Sequence, residues 1–287
     1  MDTTSLGDRQ KYWEAMSDPG KINHLLPCLL RVDGKAFHTV TKQLNLEIPF
    51  DRHFLEAMDY ITEVVAKECG AHLAYTQSDE ISILFGSTKK FESQIMYDGK
   101  IRKICSLIAA KTSVLFYDIL NIRNTHPNLH PMFDCRVWNV PSKDEAVNYF
   151  IWREEDAVRN SIQSMAHSNF SHKSLHGLSC NQLQEKLHSE AGINWNDLEP
   201  RFKRGRYIQR TTQLTKISKE ELNQLPEKHE ARSNPELEIS RQIYRHGNND
   251  FDMPQMKKII NRVEVAFHGE DPMTFGDVIR DLGDNIK

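Results

Sequence analysis

Apolar residues fall in short blocks whose spacing switches between strand-like and helix-like along the chain. Pro27-Cys28-Leu29-Leu30-Arg31-Val32 is an apolar run ended by Asp33-Gly34, which predicts a buried strand entering a turn. From Phe54 to Val65, the residues Phe54, Leu55, Met58, Ile61, Val64 and Val65 recur at helical spacing, and Cys69-Gly70 closes the segment with glycine in its usual place after a helix. His72-Leu73-Ala74-Tyr75-Thr76 and Ile81-Ser82-Ile83-Leu84-Phe85 are β-prone runs separated only by the polar Gln77-Ser78-Asp79-Glu80, a hairpin signature. A second helix is predicted from about Gly99 to Tyr117, with Ile101, Ile104, Cys105, Ile108, Leu115 and Phe116 in the apolar pattern. Met132 to Trp138 then reads as another strand.

The order strand, helix, strand, strand, helix, strand is the split βαβ, ferredoxin-like arrangement of an α+β protein. In it the first and third strands are antiparallel neighbours at the sheet centre. The end of the first then lies beside the start of the third, so Asp33 and Asp79 are expected to meet. Ser142-Lys143-Asp144-Glu145 fits a capping box opening a long helix through about Ala166, with Val147, Phe150, Ile151 and Ile162 inward. A shorter helix near Gln182 to Ser189 and a final strand near Gly205 to Gln209 follow. Beyond Thr212 the chain grows polar, with Pro226 and Pro235 interrupting charged residues, and reads as a linker or loosely packed appendage. The expected division is a catalytic unit over 1–140, an extension completing it over 141–212, and an appendage of unassigned role over 213–287.

Converging carboxylates beside a glycine turn are what a two-metal phosphoryl-transfer site requires. Mg²⁺ binds carboxylate oxygens, keeps several waters and completes its shell from substrate phosphates. Asp33 and Asp79 are the candidate ligands, with Glu80 in reserve and the Gly34 carbonyl as a further oxygen that no side chain obstructs. The plainer reading is that Asp33-Gly34 and Ser78-Asp79 are ordinary turn dipeptides; the topology favours the site because it independently brings the two turns together. The loop Gly34-Lys35-Ala36-Phe37-His38 offers backbone N–H groups, a cation and two rings for a nucleotide, although Phe37 also suits the core. Lys100 and Lys103, at i,i+3 on the start of the second helix, oppose the helix dipole and would gain from a nearby triphosphate; a solvated helix face is the alternative.

The total charge changes this picture only through its distribution. The chain has 287 residues with 37 Lys+Arg against 40 Asp+Glu, a net charge of -3, which by itself neither favours nor excludes nucleic acid. Arg201, Phe202, Lys203, Arg204, Arg206, Tyr207 and Arg210 concentrate positive charge among aromatics with no acid between them, a composition suited to a phosphate backbone or to a protected edge strand. No apolar run approaches the ~20 residues needed to cross a bilayer, and Met1 to Arg9 lack the pattern of a signal peptide, so a cytoplasmic protein without membrane partners is expected. Cys28, Cys69, Cys105, Cys135 and Cys180 form no C-x-x-C pair and are expected to be free thiols.

Arg31-Val32-Asp33-Gly34-Lys35-Ala36-Phe37-His38 with Tyr75-Thr76-Gln77-Ser78-Asp79-Glu80 resembles the paired motifs of the tRNA(His) guanylyltransferase family, the 3′-to-5′ polymerases. The resemblance continues through Phe133-Asp134-Cys135-Arg136, where the family usually has glycine in the third place, through Trp152-Arg153 and through Phe202-Lys203-Arg204-Gly205, covering about residues 8–210. It implies a polymerase-type palm in which Asp33, the Gly34 carbonyl and Asp79 hold two Mg²⁺ ions. Residues Asp33 to His38, with Ser78 and Asp79, would line a site for GTP and ATP, and Lys100 and Lys103 would approach the triphosphate. Arg136, Arg153, Asn160, His172, Lys173, Lys203 and Arg204 would contact RNA or a second triphosphate.

The resemblance further implies a tRNA partner and a homotetramer arranged as a dimer of dimers. Of the His-Ile-Asn-Asn-Leu-Tyr-Asn stretch used by eukaryotic members in recognising tRNA, only Asn160 clearly survives within Val158 to Ser164. This and Ser171-His172-Lys173-Ser174-Leu175-His176-Gly177 point to the branch that repairs 5′-truncated tRNAs. Two other functions share the topology: a nucleotide cyclase, and a non-catalytic RNA-binding module. The acidic start of the third strand counts against the module, and the basic 201–210 segment counts against the cyclase.

Overall fold

A computed structural model describes residues 20–227, 230–234 and 236–284. Residues 1–19, which open the expected catalytic unit and the resemblance, lie outside the described residues. The principal elements are β1 (Pro27–Gly34), α1 (Phe37–Gln43), α2 (Arg52–Cys69), β2 (Leu73–Gln77), β3 (Glu80–Gly86), α3 (Ile101–Ile119) and β4 (Phe133–Asn139). They are followed by α4 (Lys143–Asn169), α5 (Cys180–Ala191), β5 (Arg206–Lys216), β6 (Glu238–His246), α6 (Arg262–His268) and α7 (Phe275–Asp284).

The strands form one six-stranded antiparallel sheet in the order β4-β1-β3-β2-β5-β6. Its first four strands have the ferredoxin-like order expected from the βαββαβ pattern. Both faces of the central strands are covered, which is why they read as nearly continuous apolar runs. Alternate residues of β1 and β3, Leu30, Val32, Ile81 and Ile83, face α2 and α3 and pack with Met58, Ile61, Ile104 and Phe116. The intervening Leu29 and Leu84 face α4 and pack with Val147 and Phe150.

Local chemistry fixes the helix ends. The Asp51 carboxylate accepts a hydrogen bond from the Phe54 amide at 2.8 Å to open α2, and Gly70 closes it in the left-handed conformation. Ser142 Oγ accepts from the Glu145 amide at the start of α4, as its sequence predicts, but the Glu145 carboxylate turns to Asn148 and does not close the box. A reciprocal capping box forms instead at Ser179 and Gln182, opening α5. The five cysteines are free, with Cys28 and Cys69 buried.

The region beyond Thr212 differs from the loose appendage its polarity suggests. β5 runs on to Lys216 and pairs with β6 from Ile208↔His246 to Lys216↔Glu238. The chain then returns under the sheet, where Met253, Met256, Ile259, Val265 and Phe267 join the core formed by Leu29, Tyr75, Phe150 and Tyr207. Gln209, fully buried, ties this return in place by donating to the Val265 and Glu270 carbonyls at 2.9 and 2.7 Å. Among the described residues, no helix is long and apolar enough to cross a membrane.

Candidate active site

β1 and β3 bring their turn-forming ends together as the topology requires. Asp33 is the cross-strand partner of Glu80 on β3 and of Asp134 on β4, so these three carboxylates share one face of the sheet. Asp79 occupies the two-residue turn between β2 and β3, where Gln77 pairs with Glu80. Ser78 holds that turn in the left-handed region at φ 49° and donates its hydroxyl to the Asp79 carboxylate at 3.0 Å. Ala36, after the Asp33-Gly34 turn, is also left-handed at φ 52°. Non-glycine residues held there carry strain of about 1–3 kcal/mol each, so both turns are shaped against local preference.

Gly34 joins the two halves. A Cβ at this position would stand 2.5 Å from Asp79 Oδ2 and 2.2 Å from the Phe37 ring. The Asp79 carboxylate therefore lies directly against the Gly34 backbone, and only glycine permits that approach. Burial raises the Asp79 pKa above its ordinary value; the Ser78 hydrogen bond works against the shift and the Asp33 charge adds to it. The Asp33 and Asp79 carboxylates, which line one cleft, suit Mg²⁺, which needs one or two carboxylates and takes further oxygens from phosphates. Among the described residues no set of three His, Cys, Asp or Glu side chains converges as an all-protein metal site.

Glu80 has a different position from the one expected of a reserve metal ligand. It is buried and receives Arg153 in a fork, Nε to Oε1 at 2.7 Å and Nη2 to Oε2 at 2.8 Å. Burial raises the Glu80 pKa while the Arg153 charge opposes the rise. Arg153 also reaches Asp156 at 3.2 Å. This pair anchors the β2–β3 turn to α4 and so fixes the backbone that carries Asp79.

A cleft of about 1000 Å³ opens over these carboxylates. Asp33, His38, Ser78, Asp79, Glu80, Arg153 and Asn160, all expected from the sequence, line it. Lys42 and Thr41 line it too and were not expected; Lys42 follows His38 by four residues on α1, so helical spacing after the glycine turn was the signal for it. Lys35 and Ala36 are exposed outside the lining. The Phe37 ring is core: it is 5% exposed and packs on Phe133, Phe116 and Phe54 with centroids 4.8, 5.1 and 6.4 Å away.

Lys100 and Lys103 are not brought to the site. β3 runs away from the Ser78-Asp79 turn to Gly86, which pairs with Pro27, so α3 begins at the far end of the sheet. There Gly99 accepts from the Ile22 amide, and Lys103 lies over the Tyr97 ring. It is the C-terminal half of α3, through Phe116, that approaches the Gly34 turn.

The basic 201–210 segment is turned inward. Asp59 holds Arg201 at 2.9 Å and Arg206 at 2.7 Å, Glu154 holds Arg204 at 3.0 Å, and Lys203 donates to the Asn196 carbonyl at 2.6 Å. Lys203 and Arg204 are therefore occupied by internal partners and do not form an exposed RNA-contacting stripe. The carboxylates that hold the arginines, Asp59 for Arg201 and Arg206 and Glu154 for Arg204, are too far away in sequence for the local charge pattern to reveal them. Arg136 is exposed beside Asp134, and His172 and Lys173 are exposed beyond α4, with His172 stacked on His167.

Comparison with known proteins identifies the family. The family model for tRNAHis guanylyltransferase matches residues 10–141. A bacterial tRNA(His) guanylyltransferase-like protein solved in complex with ATP is 39% identical, with a TM-score of 0.66 over 71% of this chain and 88% of that chain. The chain belongs to the tRNA(His) guanylyltransferase family. This makes it a nucleotidyltransferase with a palm-type fold. A bacterial tRNA(His) guanylyltransferase-like protein in complex with GTP is 30% identical, with a TM-score of 0.66 over 89% of this chain and 95% of that one. The tRNA(His) guanylyltransferase of Candida glabrata is 27% identical over 203 residues, 66% of this chain and 85% of its own length. Membership of this family favours neither the cyclase nor the non-catalytic module.

Proposed function

We propose that this family member adds nucleotides to the 5′ end of tRNA in the 3′-to-5′ direction, using GTP and ATP, at the cleft floored by Asp33 and Asp79. The observation that carries the reading is the packing of the Asp79 carboxylate against Gly34, the residue after Asp33, at the floor of a cleft of about 1000 Å³ that Asp33 and Asp79 both line. Asp33, Asp79 and the Gly34 carbonyl would hold two Mg²⁺ ions. When bound, the ions lower the pKa of the attacking hydroxyl and offset charge developing on phosphate.

The protein's own groups supply position. The Glu80–Arg153 fork and the Ser78 hydroxyl set the Asp79 carboxylate before substrate arrives. His38 and Lys42, one helical turn apart on α1, offer donors to a triphosphate entering the cleft. The 3′-hydroxyl of the incoming nucleotide then attacks the activated 5′ phosphorus, and the leaving group departs from that phosphorus.

A 5′-truncated tRNA incubated with the protein, Mg²⁺, ATP and labelled GTP should gain nucleotides at its 5′ end. Asp33→Ala and Asp79→Ala should abolish the gain; extension equal to the parent by either variant would refute the site. Assaying several tRNA species tests the repair reading, which expects extension of truncated tRNAs generally. Strict preference for tRNA(His) would favour single-guanosine addition instead.

A further inference from the structure

The sheet face that carries Asp33 is covered by α4 over its centre but stays open toward the β4 edge. Along that edge Arg31 of β1 pairs laterally with Arg136 of β4, one step below the Asp33–Asp134 pair and on the same face. Two arginines side by side repel. Neither receives a carboxylate at short range: Arg136 has only Asp134 at 3.5 Å, and Arg31 keeps a buried Nε with no hydrogen-bond partner. Above them stands an aromatic row, Trp138, Tyr149 and Trp152, with successive centroids 5.5 and 5.9 Å apart. Trp152 is 52% exposed, although a large indole is usually well covered. The Arg153 guanidinium lies 4.5 Å from its ring centroid, held there by Glu80.

We propose that Trp152 is a stacking platform for an unpaired terminal base of the RNA substrate, with Arg31 and Arg136 receiving its phosphates. A guanidinium fixed on the indole by a buried carboxylate keeps the ring rigid, so little side-chain freedom is lost on stacking. The two arginines beneath, Arg136 held only loosely by Asp134 and Arg31 without a short ion pair, supply positive charge of the kind single-stranded nucleic acid needs, and base stacking on an aromatic ring tolerates any sequence. The platform is continuous with the catalytic point, because Arg153 joins Trp152 to Glu80 and Glu80 is the cross-strand partner of Asp33. A base seated there lies one residue along α4 from Arg153, which lines the cleft with Asp33.

This inference rests on the proposed RNA substrate. The test uses a 5′-truncated tRNA with 2-aminopurine at its 5′-terminal position, set opposite a mismatched nucleotide so that the base is unpaired, and its fluorescence falls when the base stacks. The parent should quench it, and Trp152→Ala should lose the quenching, bind the RNA about ten- to a hundred-fold more weakly and keep its KM for GTP. Trp152→Phe should restore part of both signals, and Arg31→Gln with Arg136→Gln should flatten the salt dependence of binding. Parent-like quenching and RNA affinity in Trp152→Ala, with both proteins extending the RNA, would overturn the platform alone. A parent that neither binds nor extends the RNA would overturn the functional reading and the platform with it.

Discussion

Asp79 and Gly34 touch so closely that a methyl group on Gly34 would stand 2.5 Å from the Asp79 carboxylate oxygen. The contact ties the end of β1 to the β2–β3 turn, and both the proposed metal-binding chemistry and the local packing pass through it.

Gly34→Ala is therefore expected to act twice. The added Cβ also meets the Phe37 ring at 2.2 Å, inside the aromatic cluster with Phe116 and Phe133. Overpacking of this kind costs about 1–3 kcal/mol. Thermal unfolding should move down by several degrees, and nucleotide addition at temperatures where the variant is fully folded should fall at least a hundred-fold. Parent-like activity would show that Asp79 does not need its seat on Gly34.

Asp79 links the site to pH and cations. Its folded-state pKa is raised from 3.8, chiefly by burial, so its stabilising contribution is full below 3.8 and is lost as pH rises through the folded-state value. At neutral pH the ionised carboxylate weakens the fold, and a divalent cation bound at the proposed site would offset that. Millimolar Mg²⁺ at pH 7 should raise the unfolding temperature of the parent by a few degrees. Asp79→Asn should start at or above the parent without Mg²⁺ and gain little when it is added. An equal gain in both would remove Asp79 from the proposed metal site.

The Glu80–Arg153 fork is expected to show strong coupling. Leaving one buried charge without its partner costs about 3–5 kcal/mol. Arg153→Met alone and Glu80→Gln alone should each destabilise on that scale, and the double variant should cost less than their sum. Denaturant unfolding of all four proteins measures the coupling, and additive effects would show the fork to be unimportant for stability.

Much of this site was readable from the sequence because it rests on two short-range signals and one topological rule. Strand alternation located β1 and β3, turn dipeptides ended them, and the antiparallel pairing of those strands brought Asp33 to the Ser78-Asp79-Glu80 turn. The same rule also locates Lys100 and Lys103, since a strand leaving the site must start its following helix at the other end; helix-dipole reasoning alone pointed the wrong way. The fate of Arg204 was not readable, because its partner Glu154 comes from a different element. Nor was β6, where Ile239 and Ile243 alternate with Arg241 and Arg245 in a segment whose overall polarity hides the strand period.

His72 sets an expected acid limit. Gly86 accepts from Nε2 at 2.8 Å, and Nδ1 faces the Arg210 guanidinium at 2.6 Å, an arrangement that fits only the neutral ring. Burial lowers its pKa from 6.5 to about 4, with the Arg210 and Lys143 charges adding to the shift and the Gly86 hydrogen bond opposing it. Between those values the unfolded chain binds the extra proton, so stability falls as pH drops from 6.5 to 4, by up to roughly 3 kcal/mol. His72→Gln should flatten the stability–pH curve in that window. An unchanged slope would assign the acid sensitivity to other groups.

Residues 213–287 are expected to be indispensable to folding. Phe267 and Val265 of α6 pack with Met253 and Met256 against Tyr75, Phe150 and Tyr207, so the return of the chain closes one face of the same sheet that carries Asp33 at its end. Its removal would strip that core and also expose Gln209, which loses the Val265 and Glu270 carbonyls. A chain ending at Thr212 should therefore aggregate or lack a cooperative thermal transition. Phe267→Ala, a milder lesion of the same contact, should cost about 3–5 kcal/mol while the cleft keeps its residues. Its activity at low temperature should stay near that of the parent, separating a structural role for this region from a catalytic one. A truncated chain that unfolds cooperatively at the parent temperature would instead make the region an accessory to a self-sufficient palm.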